Sequence, residues 1–354
     1  MNAIPSTPAR SRRRAGVHAF SLIELMTAMV ILSVLMLMLT ILLDQVQRSW
    51  RFSESRISQF REARVAFDVM TKNLSQASLN TYWEVRDSNS DGIFDGYFPT
   101  SELHFLTLDA QTLGSTQTQQ PVGQAVFFQA PLGFSTEYRN LNSIFNGRGY
   151  FVAFGGDRRY RPSFINSAER FRFRLMEFRP PAEANQVFAD GMEQRAQNQV
   201  QIFDKWFRQG MGGVGPGDFE SHLNPLAENI LTLVVSPRDS LEVGSTSREQ
   251  TFSRVAPDFR FDSNDLSGGR EAFAHQVPPL VRVTMVAIDE DAAVRFENGS
   301  SIPAQLTSAL AGAFRRTENY AADIQRVADA LNNLNVNHKI FSALVMLRSS
   351  KWST

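Results

Sequence analysis

The chain of 354 residues contains no cysteine. That excludes a disulfide framework, a thiolate zinc site and a cysteine nucleophile. It also lacks an excess of either charge. The 36 basic and 36 acidic residues cancel, which argues against a nucleic-acid scaffold held by bulk electrostatics, so no direct nucleic-acid binding is expected. Histidine is sparse: His18, His104, His222, His275 and His338 stand apart with no ligand spacing. No Walker loop, G-x-S-x-G, H-E-x-x-H or dinucleotide fingerprint occurs, and Gly268-Gly269 is too bare to argue for phosphate. No catalytic residue is assigned, and the chain reads as a non-enzyme. Finally, no proline or glycine lies between Phe20 and Asn80, so nothing need break a helix there.

Hydrophobic residues make up 43% and charged residues 20%, the balance of a globular chain rather than a disordered one. The length allows one large domain or two ordinary ones. The 28 phenylalanines point to sheets with well-filled cores.

The N-terminus is strongly polarised. Residues 1–19 carry Arg10, Arg12, Arg13 and Arg14 and no acid. After Phe20-Ser21-Leu22-Ile23-Glu24 come 19 uncharged residues, Leu25 to Leu43, ended by Asp44. As a helix this run spans roughly 28 Å, close to a bilayer's hydrocarbon core. The basic flank predicts a cytoplasmic N-terminus and an exported C-terminal part. A secretory signal peptide would be shorter and followed by a small-residue cleavage site. A twin-arginine signal could use Ser11-Arg12-Arg13-Arg14, but Glu24 then sits at the start of its apolar region. A plain single-span anchor satisfies hydropathy but leaves Glu24 unexplained. A carboxylate costs about 2.5–3.5 kcal/mol at the centre of a membrane helix and less near its end.

The basic leader, Ala19, then Phe20-Ser21-Leu22-Ile23-Glu24-Leu25 and a long apolar helix resemble the class III signal of type IV prepilins and pseudopilins. The resemblance implies cleavage between Ala19 and Phe20 by a prepilin peptidase and N-methylation of Phe20. It also implies that Glu24 sets the assembly register by pairing with the terminal amine of a neighbouring subunit. Such a pair is far stronger in low dielectric than in water. The family usually places Gly before the cut, where this chain has Ala19. Gly16 is not a better site, because Glu24 would then fall eight residues in. The stretches Arg64–Glu84, Pro278–Glu290 and Asn337–Trp352 are similar to the prepilin-like C protein of the Verru_Chthon cassette, a family of planctomycete–verrucomicrobial pseudopilins. Partners implied are prepilin peptidase, other pilin-like subunits, a pilus or type II secretion-like assembly platform, and the membrane. The implied location is the inner membrane, single-pass, with an extracytoplasmic head. A membrane-anchored extracytoplasmic ligand-binding protein is the alternative function.

Past Asp44 the pattern turns amphipathic. Val46, Trp50, Ile57, Phe60, Ala63, Phe67, Met70, Leu74 and Ala77 recur at spacings of three, four and seven, with charged residues between. This predicts one helix of about 60 residues, roughly 90 Å long, whose second half packs on a head. From Asn80 onward strand-like runs alternate with turns: Leu103–Leu108, Ala125–Gln129, Tyr150–Phe154, Phe171–Phe178, Ile230–Val235, Leu280–Ile288 and Lys339–Leu347. The alternation Phe171-Arg172-Phe173-Arg174-Leu175 predicts a strand with one solvated face. The Arg-rich stretches predict solvated faces or pairs between subunits, and Asp289-Glu290-Asp291 a solvated turn. Gly210–Gly217 predicts a flexible connection. Ile302–Leu334 predicts two amphipathic helices. The expected fold is α+β and pilin-like: a long N-terminal helix on an antiparallel sheet head, with additional C-terminal helices. Its parts are a leader at 1–19, a transmembrane or filament-core half-helix at 20–43, an amphipathic half at 44–80 and a β-rich head at 81–354.

One loop has the residue types of a calcium site. Asp87, Asn89, Asp91 and Asp95, with the Ile93 carbonyl and a bend at Gly92, follow the first nine positions of a calcium loop. Phe98 stands where the bidentate Glu would be, leaving Glu102 or another acid to close the shell. An Asx-rich hairpin loop explains the same residues without Ca²⁺.

Overall fold

A computed structural model describes residues 21–86, 92–94, 96–114, 119–138, 141–162, 164–184, 222–239, 253–265 and 273–350. The Gly210–Gly217 run lies outside them. The chain divides into two compact units, Met1–Arg56 and Ile57–Thr354.

Helix α1 runs Leu22–Leu74, unbroken as the absence of proline and glycine allows, and ends six residues before Asn80. It starts where the Ser21 carbonyl accepts the N–H groups of Glu24 and Leu25 at 3.1 and 3.2 Å. It ends in a polar run where Ser75 Oγ caps the Lys72 carbonyl and the Ser78 N–H bonds instead to the Gln129 carbonyl. The expected apolar stripe is real in the second unit. Ala63, Phe67, Met70, Leu74 and Ala77 are buried, with Ala66 beside them. The Phe67 ring lies 5.8 Å from that of Phe341.

Among the described residues eleven strands come after it, each paired antiparallel to its neighbours. A hairpin pairs β1 (Tyr82–Arg86) with β2 (Gly96–Thr100). A six-stranded sheet contains β3 (Leu106–Asp109), β4 (Gln119–Phe134), β5 (Asn142–Gly156), β6 (Phe171–Phe178), β7 (Leu223–Glu228) and β9 (Phe261–Asp262), in the order β7-β6-β5-β4-β3-β9. A three-stranded sheet has the order β11-β10-β8, from β8 (Ile230–Arg238), β10 (Leu280–Ile288) and β11 (His338–Met346). The head also contains helices α2 (Glu290–Arg295), α3 (Ala304–Leu310) and α4 (Tyr320–Asn333). The architecture is α+β and pilin-like, and the two helices expected in Ile302–Leu334 are α3 and α4.

The two sheets share one core with α1 and α4. Where they meet, a bulge at Gly123-Gln124 bends β4. The Gln124 side chain accepts the Val235 N–H of β8 at 2.7 Å, satisfying a backbone donor on the edge of the smaller sheet. Phenylalanine fills the interior as its abundance suggests. Phe127 packs edge-on to Phe178 at 6.1 Å. It also lies over Gly149 across the strand pair, where a Cβ would stand 2.3 Å from the ring.

Several sequence expectations are corrected. The predicted strand Leu103–Leu108 begins only at Leu106, because the preceding amides bond to side chains. The Leu103, His104 and Phe105 N–H groups donate to Ser101 Oγ, Gln129 Oε1 and Ser263 Oγ. Ala125–Gln129 and Tyr150–Phe154 are the centres of much longer strands. Gly123 and Gly133 in β4 sit at bulges, where the regular alternation that sequence reading relies on is interrupted. Strand β7 contains Pro225 and was not expected; it is an edge strand with a register shift opposite Pro225, the position where a sheet tolerates proline.

The alternation in β6 does not give a solvated face. Arg172 and Arg174 are only 2% and 1% exposed. Arg172 donates to Glu297 at 2.7 Å and Glu290 at 3.1 Å. Arg174 donates to Glu228 at 3.0 Å and to the Gly155 carbonyl at 2.7 Å. These pairs lie within the subunit. The cluster Asp289-Glu290-Asp291 is likewise a helix start rather than a solvated turn. Asp289 Oδ1 caps α2 by accepting the Ala292 N–H. Glu290 reaches Arg172 and Asn229.

Candidate functional site

Among the described residues the first unit is the start of α1. From Leu22 to Gln47 it is apolar, long enough to cross a bilayer, and has no buried residue. The large apolar side chains from Leu22 to Val46 are more than half exposed. A helix that is hydrophobic all round requires a non-aqueous neighbour, either lipid or partner helices. Its few hydroxyls suit such a medium. Thr27, Ser33 and Thr40 each donate back to a carbonyl one turn earlier, at 3.0, 2.8 and 2.8 Å, so none presents an unmatched donor to hydrocarbon.

Glu24 lies in the first turn of this helix. There the partial positive charge of the helix N-terminus favours a carboxylate. Its backbone is taken up by Ser21 and Thr27, and its side chain is exposed. Ala19 and Phe20, the residues flanking the expected cut, lie outside the described residues, as do the leader arginines.

The candidate calcium loop is the tip of the β1–β2 hairpin, where Arg86 pairs with Gly96. Asp87, Asn89, Asp91 and Asp95 lie outside the described residues. Ile93 is described and exposed, and Gly92 has a φ of +80°, the left-handed bend that both readings of the loop ask of it. Glu102 is not placed to complete a shell at the tip. It is held at the other end of the hairpin by Asn80 Nδ2 at 2.5 Å and the Tyr82 hydroxyl at 2.9 Å. Tyr82 pairs with Thr100, four residues and roughly 13 Å from the tip. Among the described residues no three His, Asp or Glu side chains are arranged to hold a metal.

Sequence reading missed a polar chain tying α1 to the sheet. Tyr150 on β5 is fully buried. Its hydroxyl accepts from Asn73 Nδ2 at 2.8 Å and donates to Glu177 Oε1 at 2.7 Å. Arg148 donates to the same Glu177 oxygen at 2.9 Å. Burial, reinforced by the charge of Glu177, pushes the Tyr150 hydroxyl pKa upward, so it remains a donor. A second hub is Asp157, just past β5. Burial alone would raise its pKa, but bonds from the Arg161 side chain and the Arg170 N–H outweigh it and hold the carboxyl at about 2. His104 is buried and contacts Asp262 at 2.6 Å, a structural placement like that expected for a lone histidine beside a strand.

No curated protein and no solved structure matches the chain. Residues 14–40 match the family model of the prokaryotic N-terminal methylation motif. That motif marks structural rather than catalytic proteins, and implies processing by a prepilin peptidase and assembly with other pilins. Together with the exposed apolar helix that it overlaps, it indicates a prepilin-type, type IV pilin-like protein.

Proposed function

We propose that the chain is a pseudopilin-type structural subunit of a pilus or type II secretion-like pseudopilus, of the kind encoded in the Verru_Chthon cassette. In this reading prepilin peptidase cuts between Ala19 and Phe20, Phe20 is N-methylated, and residues 20–43 lie in the membrane and later in a filament core. Residues 44–80 join that core to the head at 81–354, which faces the extracytoplasmic side. Loss of residues 1–19 removes four of the 36 basic residues, leaving 32 against 36 acidic and a net charge of −4. The observation that carries the reading is the coincidence of the methylation motif at 14–40 with a helix, Leu22–Gln47, that has no buried residue.

Glu24 is the registering acid of this proposal. Near the membrane boundary an unpaired carboxylate is unfavourable, whereas pairing with the terminal amine of the next subunit neutralises both charges. Intact mass and N-terminal mapping of membrane-extracted protein test the processing step: a chain beginning at methylated Phe20 is expected. An intact Met1, or a cut beyond Leu43, sinks the proposal. Glu24→Ala tests the assembly step; export should persist while incorporation into filaments is lost. If the chain were instead an anchored ligand-binding protein, the substitution would matter little.

The loop from Asp87 to Asp95 belongs to the proposal as a weak Ca²⁺ site, of the kind exported domains fill from high external calcium. A melting temperature higher in millimolar Ca²⁺ than in chelator is expected, and equal values remove calcium from the account.

A further inference from the structure

A cavity of about 550 Å³ opens between β3, β4, β8, the segment before β9 and the turn after α3. Its walls are conformationally expensive. Among the described residues, six non-glycine residues have positive φ, and the two phenylalanines in that set both line this cavity: Phe259 at +64° and Phe314 at +56°. Bulky side chains avoid this region, and such outliers collect at ligand clamps. Both are pinned. The Phe259 carbonyl accepts from Thr107 Oγ1 at 2.9 Å. The Phe314 N–H donates to Asp323 Oδ2 at 2.7 Å, and its ring rests 6.3 Å from that of Tyr320. The bulge glycine Gly123 and Gly312, at +72° and +73°, line the same space.

The polar lining is mixed in a way that restricts the ligand. Arg260 and Arg315 both line the cavity and are exposed, offering two guanidinium forks to an anion. Asp109 and Asp258 line it too. A bare anion meets repulsion from these carboxylates, whereas a hydroxylated ligand donates to them. Gln111 and Thr307 add further polar groups, and Leu310 and Phe314 add an apolar face. One anionic group, several hydroxyls and a C–H face together describe a sugar acid.

We propose that this cavity is a binding site for a uronic-acid-type sugar, its carboxylate held by Arg260 and Arg315 and its hydroxyls by the acidic and amide side chains. The site is independent of the assembly role proposed for the N-terminal helix. The test is calorimetry on the full-length protein in detergent with glucuronate, glucose, inorganic phosphate and polyuronate chains as probes. Glucuronate should bind, glucose and phosphate should bind far more weakly, and R260Q or R315Q should each weaken glucuronate about tenfold. Circular dichroism checks that both surface variants remain folded. A polyuronate that binds more tightly than the monosaccharide identifies a polysaccharide as the source of the sugar acid; one that binds equally or less tightly identifies the free acid. The proposal is overturned by no glucuronate binding at millimolar concentration, by binding unchanged in both variants, or by glucose or phosphate binding as well as glucuronate.

Discussion

Asn73, in the last turn of α1, donates from Nδ2 to the hydroxyl of Tyr150 on β5 at 2.8 Å. This bond ties the end of the N-terminal helix to the middle of the large sheet. It continues through Glu177 to Arg148, so the helix end is held by polar contacts as well as by Phe67, Met70 and Leu74.

Tyr150→Phe should therefore destabilise the protein by about 1–3 kcal/mol, because Asn73 loses its acceptor and Glu177 a donor in a buried place. Denaturant unfolding of the detergent-solubilised protein measures this. The wild type should also weaken in alkali. The folded pKa of Tyr150 lies above its ordinary value of 10.0. Its contribution is thus fully present below pH 10 and declines as pH rises beyond it, because the unfolded chain ionises first. In Tyr150→Phe that part of the alkaline decline should disappear.

Asp157 gives the opposite dependence. Its folded pKa of about 2 lies below the ordinary 3.8, so its contribution is present above pH 3.8 and is lost as pH falls towards 2. Asp157→Asn should cost about 1–3 kcal/mol at pH 7, with the difference from wild type shrinking across that acid window. Glu183, held at about 2 chiefly by its bond from Ser135, titrates in the same range in both proteins and cancels in the comparison. A difference that stays constant from pH 5 to pH 2 contradicts the assignment of Asp157 as the titrating hub.

Arg172 faces two carboxylates, Glu290 and Glu297. Arg172→Met should leave both without their cation and cost about 1–3 kcal/mol, less than for a fully buried pair because both carboxylates keep partial contact with water. Adding Glu290→Gln and Glu297→Gln should recover part of that loss, since no charge is then stranded. A triple variant less stable than the single one by the full sum of the substitutions argues against the coupling.

Gly123 sits at the β4 bulge with φ +72°, and a Cβ there would stand 2.7 Å from Thr232 Oγ1. Gly123→Ala should lower stability by about 1–3 kcal/mol through strain and overpacking. Thr232→Ala in the same chain should restore only part of it, because the backbone conformation and the nearby Leu233 carbonyl at 3.3 Å remain. Thermal unfolding of the two variants separates the steric part from the conformational part.

Much of the fold was legible because it arises from local periodicity. A chain without proline or glycine from Phe20 to Asn80 makes one helix, and its stripe of Ala63, Phe67, Met70 and Leu74 named the face that packs. The bounds of β6 and β10 were read correctly because those runs are bracketed by polar or turn-forming residues. The N-terminal signal was legible for a different reason: a charge beside a long apolar run has few physical explanations, and the methylation motif covers the same residues. Strand β7 escaped notice because Pro225 argues for a loop unless the strand is known to be an edge. That Glu102, one of the acids open to the calcium loop, sits beside Tyr82 and Asn80 follows from the β1–β2 register, which residue spacing does not carry.

The long helix, its apolar and amphipathic stretches and the strand-rich character of the head follow from the order of residues, since each rests on side-chain period and backbone freedom. The fate of the charges depends instead on long-range packing. Arg172 and Arg174 alternate with phenylalanine as solvated residues do. They are buried because β7, α2 and the segment just past α2 bring Glu228, Glu290 and Glu297 across from positions more than 50 residues away. Whether a charged side chain faces water or a partner depends on what the fold places opposite it, and no local pattern carries that information.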